Sequence, residues 1–190
     1  MHGVQYEDVH FASDYSEYGF YTFAISNIKY HNYNRQFAAV NYIVIEYADG
    51  TTKDILSNYI ERSVYDVAVS TMIDEEHPFE DSYSEDAQAT IKGYVANVIE
   101  LEFDGTELNA YDINDLGLVK PYESITVEYA DNNVTLTLTV DAQSILATEE
   151  ENAYVPVVIN DFSSGTSVLK YYQAKLVYND GTATITFSFN

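Results

Sequence analysis

"LKYYQAKLVYNDGTATITFSFN", residues 169–190, alternates apolar and polar side chains on both sides of Asp180-Gly181. Asp-Gly is a favoured two-residue hairpin loop, because both positions tolerate positive φ. A turn centred there pairs Tyr178 with Ala183, Leu176 with Ile185, Ala174 with Phe187 and Tyr172 with Phe189. Every member of those pairs is apolar or aromatic. The other face carries Tyr171, Gln173, Lys175 and Val177 against Thr182, Thr184, Thr186 and Ser188. A slip of one residue would exchange the faces, so turn and alternation agree on one register. The stretch reads as a half-buried hairpin, with Leu176, Ile185 and Phe187 turned toward a core.

The same device recurs upstream. "SITVEYADNNVTLTLTV" (124–140) turns at Asp131-Asn132 and pairs Tyr129 with Val134, Val127 with Leu136 and Ile125 with Leu138. "NVIELEFDGTELNAY" (97–111) turns at Asp104-Gly105, which sets Leu101 opposite Leu108, Ile99 opposite Ala110 and Glu102 opposite Glu107. "NYIVIEYADGTTKDIL" (41–56) turns at Asp49-Gly50, with Glu46 opposite Lys53 and Val44 opposite Ile55. Four such hairpins imply about eight strands, and short strands with regular turn signals point to a sandwich or barrel. The expected fold is therefore mainly β: an antiparallel β-sandwich, Ig-like or jelly-roll-like, with one or two short helices.

The other segments fit around this frame. Residues 19–30 alternate as a further strand, and 153–160 reads as an edge strand because Pro156 cannot donate a ladder bond. Residues 53–67 have helical spacing that competes with the hairpin reading, and both remain open. A short helix is expected from about residue 84 to 92, with Gly93 weakening its continuation. The acidic stretch "MIDEEHPFEDSYSEDAQ" (72–88) is the candidate linker. The domain reading is one sandwich over 19–190, with a subdivision near 72–88 as the alternative. Residues 1–18 follow neither period for long and are expected to form an N-terminal arm that packs on a neighbour.

Composition excludes several functions. The chain has 190 residues, no cysteine, 8 basic and 31 acidic residues, and a formal charge of −23. Disulfides, thiolate catalysis and sulfur-ligated metals go together. Nucleic acid and anionic lipid bind through Lys and Arg, so neither is an expected direct ligand. No apolar run reaches membrane-span length, and no charged-then-apolar leader follows Met1; a leader removed earlier leaves secretion open.

No G-x-S-x-G, H-E-x-x-H or phosphate-cradling glycine loop occurs, so no enzyme is expected. "DINDLGLVKPYE" (112–123) resembles the calcium-binding loop of EF-hands. Asp112, Asn114, Gly117 and Glu123 match positions 1, 3, 6 and 12, whereas Leu116 stands at position 5 where an oxygen ligand belongs. The resemblance makes Asp112, Asn114 and Glu123 the candidate metal ligands and calcium the one candidate ion; no other cofactor is implied. His77 among Asp74, Glu75, Glu76, Glu80 and Asp81 is a second cluster of possible donors.

Tyrosine is over-used, with 19 copies and no tryptophan. It supplies apolar area and a hydroxyl at low entropic cost, which suits subunit interfaces and glycan stacking alike. "IEYADGTTKDIL" (45–56) is similar to the Y-x-D-G-T-x-x-D stretch of bacterial Ig-like repeats found in surface adhesins and on phage virions. The tryptophan those repeats often carry is absent. This resemblance implies a display or adhesion module. The resulting expectation is a non-enzymatic structural subunit of a tailed-phage virion, as a capsid decoration or tail component. Its partners would be further copies or neighbouring structural proteins. The alternative is an extracellular Ig-like adhesion or glycan-binding module.

Overall fold

Short pairs of strands come first along the chain. In the computed structural model, which describes residues 9–11, 23–40, 42–111, 116–140 and 154–190, β1 (Val9–Phe11) lies antiparallel to β2 (Phe23–Ile25). After a 3-10 turn at Tyr30–Asn32, β3 (Phe37–Ala39) pairs with β6 (Ile60–Arg62) around β4 (Tyr42–Glu46) and β5 (Thr52–Leu56), which pair with each other. Three helices follow: α1 (Val64–Met72), α2 (Phe79–Ser82) and α3 (Glu85–Ala96). The expected helix at 84–92 is α3, continued through Gly93 to Ala96. The helical alternative for 53–67 holds only from Val64 onward, and the supposed linker 72–88 contains α2 and the start of α3. The described part of the 1–18 segment, β1, pairs within its own chain; the rest lies outside the described residues.

The main body is one curled sheet. Strands β7 (Ile99–Phe103), β8 (Leu108–Ala110), β9 (Ser124–Ala130), β10 (Asn133–Thr139), β11 (Tyr154–Asp161), β12 (Val168–Asn179) and β13 (Thr182–Ser188) lie in the order β8-β7-β11-β12-β13-β10-β9. The edge strands β8 and β9 come together across the curl. Phe103 of β7 sits edge-to-face on Tyr129 of β9, with ring centroids 5.6 Å apart. The fold is thus mainly β, as expected, with a sandwich- or barrel-like interior. Its inner face buries Leu101, Leu136, Leu138, Val157, Ile159 and Ile185 in one cluster. On the outside, α1 and α3 pack Tyr65, Ala68 and Val95 against Val98 and Val158.

Turn chemistry decides which registers were legible. At Asp131-Asn132 both residues take positive φ (50° and 63°), and β9–β10 pairs as expected, Val127 opposite Leu136. At Asp180-Gly181 the pairing Leu176–Ile185 and Tyr178–Ala183 forms as expected, but the ladder ends at Lys175–Thr186. Beyond that point β12 pairs only with β11, so Ala174–Phe187 and Tyr172–Phe189 are not rungs.

Two turns correct the expectation. Asp104 Oδ1 accepts from the backbone N–H of Thr106 and Glu107 (both 2.8 Å), which moves the two-residue loop to Gly105-Thr106. Leu101 therefore faces Ala110, and Glu102 faces Asn109, not Glu107. A shift of two in the pairing keeps every side chain on its face. At Asp49-Gly50 the loop has three residues, because Tyr47 N–H bonds Thr51 O (2.8 Å) and Gly50 N–H bonds Tyr47 O (2.9 Å). With Gly50 at φ 80°, this is a type I turn closed by a glycine bulge. Val44 then faces Asp54, and Ile45 faces Lys53.

The strand containing Pro156 is a third correction. β11 is central, flanked by β12 and by β7. It tolerates Pro156 because the parallel ladder to β7 begins one residue later, at Val157–Ile99.

Phe187 is only half-buried, whereas Phe189 is buried and touches Phe103, Tyr129 and Tyr172 edge-on. Phe189→Ala should therefore cost about 3–5 kcal/mol and Phe187→Ala clearly less. Denaturant unfolding measures both, and equal losses would contradict this packing.

Candidate functional site

The two strand pairs are nested in the chain, β4 and β5 lying between β3 and β6. Between the rungs Ala39–Ile60 and Tyr42–Leu56, one strand has two residues (40 and 41) and the other three (57 to 59). Every described residue from Val44 to Arg62 is exposed. β4 and β5 are hydrogen-bonded only to each other among the described residues.

The arm is apolar where a solvated hairpin would be polar. Tyr42, Val44 and Leu56 stand on one face at 57%, 50% and 66% exposure, and Ile45 and Ile55 stand exposed on the other. Val40, Tyr59 and Ile60 are exposed as well. A two-stranded hairpin is marginal in water unless a third strand or a packed face supports it.

Its root is fixed firmly. Ser63 and Asp66 form a reciprocal capping box at the start of α1, each side chain accepting from the other's backbone N–H at 3.0 Å. The Asp66 carboxylate also accepts from Gln36 Nε2 (2.6 Å) and from the Tyr171 hydroxyl (2.8 Å). One carboxylate thereby ties the β3 side of the arm, the helix and β12 together. Behind it, the Tyr65 hydroxyl donates to Glu100 Oε1 (3.1 Å), whose other oxygen pairs with Lys120 Nζ. Lys120 also donates to Val98 O (3.0 Å), so this buried ion pair is bonded on several sides. Burial first, and then Glu100, pushes the Tyr65 phenol far up; burial and Asp66 do the same to Tyr171.

A cleft of about 820 Å³ opens beside this root, where Tyr65, Val69, Ile73, Tyr111, Leu169 and Tyr171 meet Gln36, Arg62 and Ser70. A second, of about 640 Å³, lies between Ile28, Tyr33, Val64, Val67, Ile91 and Tyr94, and Arg62 reaches both.

Of the candidate metal ligands, only Glu123 lies among the described residues. Asp112 and Asn114 lie outside the described residues; Glu123 is exposed, and its backbone N–H bonds Thr139 O at 2.8 Å. Asp74 spends one oxygen on the backbone N–H groups of Glu76 and His77, which hold its carboxyl below the usual range, and the other lies 3.2 Å from His77 Nδ1. Glu80 pairs with Lys92 on the surface. Among the described residues no three His, Cys, Asp or Glu side chains gather as a metal site, and no helix is long and apolar enough to cross a membrane.

Sequence reading missed the root. Ser63-x-x-Asp66 ahead of an apolar run was the available signal for the capping box. Nothing local announces Tyr171 as its third partner, which is 105 residues away.

Asp66→Ala removes the acceptor shared by three donors, the Ser63 N–H, Gln36 Nε2 and the Tyr171 hydroxyl, so it should cost at least about 2 kcal/mol. Chemical denaturation measures it, and a loss below about 0.5 kcal/mol would mean the root is held otherwise. A second expectation concerns alkali. The folded phenols of Tyr65 and Tyr171 stay protonated above the unfolded value of 10.0, so their contribution is full below that pH and is lost as pH rises past it. Melting temperature should hold to about pH 10 and then fall, less steeply in Tyr171→Phe; a flat profile across that range would contradict the assignment. Comparison with known proteins returns no matching family model, no similar curated protein and no similar solved structure.

Proposed function

We propose that this chain is a non-enzymatic structural subunit of a protein assembly and that it joins its neighbours through the arm of residues 37–62. The observation that carries the reading is the arm itself: exposed at every described residue from Val44 to Arg62, with apolar side chains on both faces, and rooted by the capping box at Ser63. Rigid anchorage supports it because a contact element held in place loses less entropy on docking. A tailed-phage virion component, whether capsid decoration or tail protein, is the concrete form and the location favoured by the sequence. The strong negative charge suits a shell to which nucleic acid must not adhere.

An extracellular adhesion or glycan-binding module is the second reading. The cleft favours it, since Tyr111 and Tyr171 there adjoin Gln36, Arg62 and Ser70, a mix of rings and polar groups suited to sugars.

Replacing residues 40–59 by Asn-Gly separates the two. Ala39 and Ile60 are paired, so a two-residue loop closes between them. The assembly reading expects a folded body whose melting temperature changes by no more than about 2 °C, and complete loss of multimers in light scattering. If the intact chain is monomeric at high concentration with or without partner proteins, and binds an oligosaccharide that Tyr111→Ala abolishes, the glycan-binding reading replaces it.

A further inference from the structure

The two edges of the arm differ in a way that selects an occupant. β5 carries adjacent charges at Lys53 and Asp54, which guard an edge against pairing. β4 runs Tyr42-Ile43-Val44-Ile45 with no charge before Glu46, and its outer edge has no partner strand among the described residues. Uncharged, β-branched edge sequence of this kind is a template for another strand.

We propose that β4 pairs antiparallel, across a two-fold axis, with β4 of a second copy of this chain. The inference rests on the reading of the arm as an assembly element. A two-fold antiparallel pairing sets one residue of each strand opposite its own copy. On β5 the central residue is Asp54, and a pivot there would oppose Asp54 to Asp54, where like charges directly opposite destabilise. On β4 the central choice opposes Val44 to Val44, with Ile43 and Ile45 at facing register positions on either side and Tyr42 opposite Glu46. No like charges meet in that register.

The result is a four-stranded sheet, β5-β4-β4-β5, which supplies the extra strands that a lone hairpin lacks. Tyr42, Val44 and Leu56 of both copies then share one face of it. Val40, Tyr42, Val44, Leu56, Tyr59 and Ile60 each leave half to two-thirds of their surface exposed. Of these, Tyr42 and Val44 lie on the pairing strand and flank the seam, whereas Leu56, Tyr59 and Ile60 stand on the far side and keep their surface open for further contacts.

Charge predicts the salt response. Two copies at −23 each repel one another at long range, and salt screens that repulsion. Dimerisation through an uncharged edge therefore strengthens with salt, whereas docking of a basic partner weakens.

Sedimentation equilibrium of the full chain at about 1–200 µM, in about 0.05 to 0.5 M NaCl, tests this directly. The wild type should dimerise, more tightly at the higher salt. Val44→Lys, which opposes lysine to lysine at the pivot, should weaken the dimer about tenfold or more while leaving the melting temperature of the body unchanged. Val44→Thr, which keeps β-branching, should retain it, and Lys53→Gln on the other edge should change it by less than about twofold. A wild type that stays monomeric throughout overturns the proposal. So does self-association that salt weakens, which would indicate a charge-driven contact. If Val44→Lys associates as tightly as the wild type but the Asn-Gly replacement of 40–59 does not associate, the two-fold pairing is wrong and the arm's role in assembly stands.

Discussion

Burial of β11 on both faces is the constraint around which the body is arranged. Val155, Val157 and Ile159 point into the curl, while Val158 points out beneath the helices. A strand covered on both sides needs both coverings at once. The inner covering is the closure of β8 and β9 toward each other, sealed where Phe103, Tyr129 and Phe189 meet edge-to-face. The outer covering is α1 with α3, and α1 follows directly from the arm. Asn34, just before the arm, donates its side-chain amide to Val157 O (2.9 Å) and Tyr172 O (2.7 Å), carbonyls of facing residues on β11 and β12. The arm's root is therefore built into the most buried part of the sheet.

This arrangement separates two mechanical regimes. The sheet and helices share continuous apolar burial, and Asp66, Glu100 and Lys120 place charges in their seams with partners on several sides. Such buried pairs contribute less to net stability than to the specificity of one packing, because desolvation offsets much of their attraction. Beyond Ser63 the polypeptide leaves that environment abruptly: Ser63 is buried, Arg62 exposed. The arm therefore gains little from the body except its direction. A free arm with apolar faces is a liability in a monomer and an asset in an assembly.

How legible this was in the sequence follows from the range of each interaction. Asp131-Asn132 and Asp180-Gly181 fix their hairpins with positive-φ residues alone, and those registers could be read. Asp104 and Asp49 bond their own downstream backbone and so alter the loop, by one position in one case and one extra residue in the other. Dipeptide identity cannot distinguish those outcomes. The parallel β7–β11 pairing joins strands that no turn connects, so Pro156 looked like an edge residue. For the 42–56 hairpin the alternation was visible, but its destination was not. Its apolar pattern resembles that of a core hairpin, and only tertiary placement shows that no core receives it. Of the candidate metal ligands, Glu123 is exposed, and Asp112 and Asn114 lie outside the described residues.

Hydrogen exchange followed by mass spectrometry, as a function of protein concentration, tests most directly whether the arm depends on a partner and the body does not. Amides of the strands within 99–110, 124–139 and 154–188 should be protected equally at all concentrations, since their pairing is internal. Amides of 42–56 should exchange fast in dilute solution and become protected as concentration rises, by the factor that mass action sets. Protection of 42–56 that matches the body at the lowest concentration would contradict the account, because it would make the arm stable by itself.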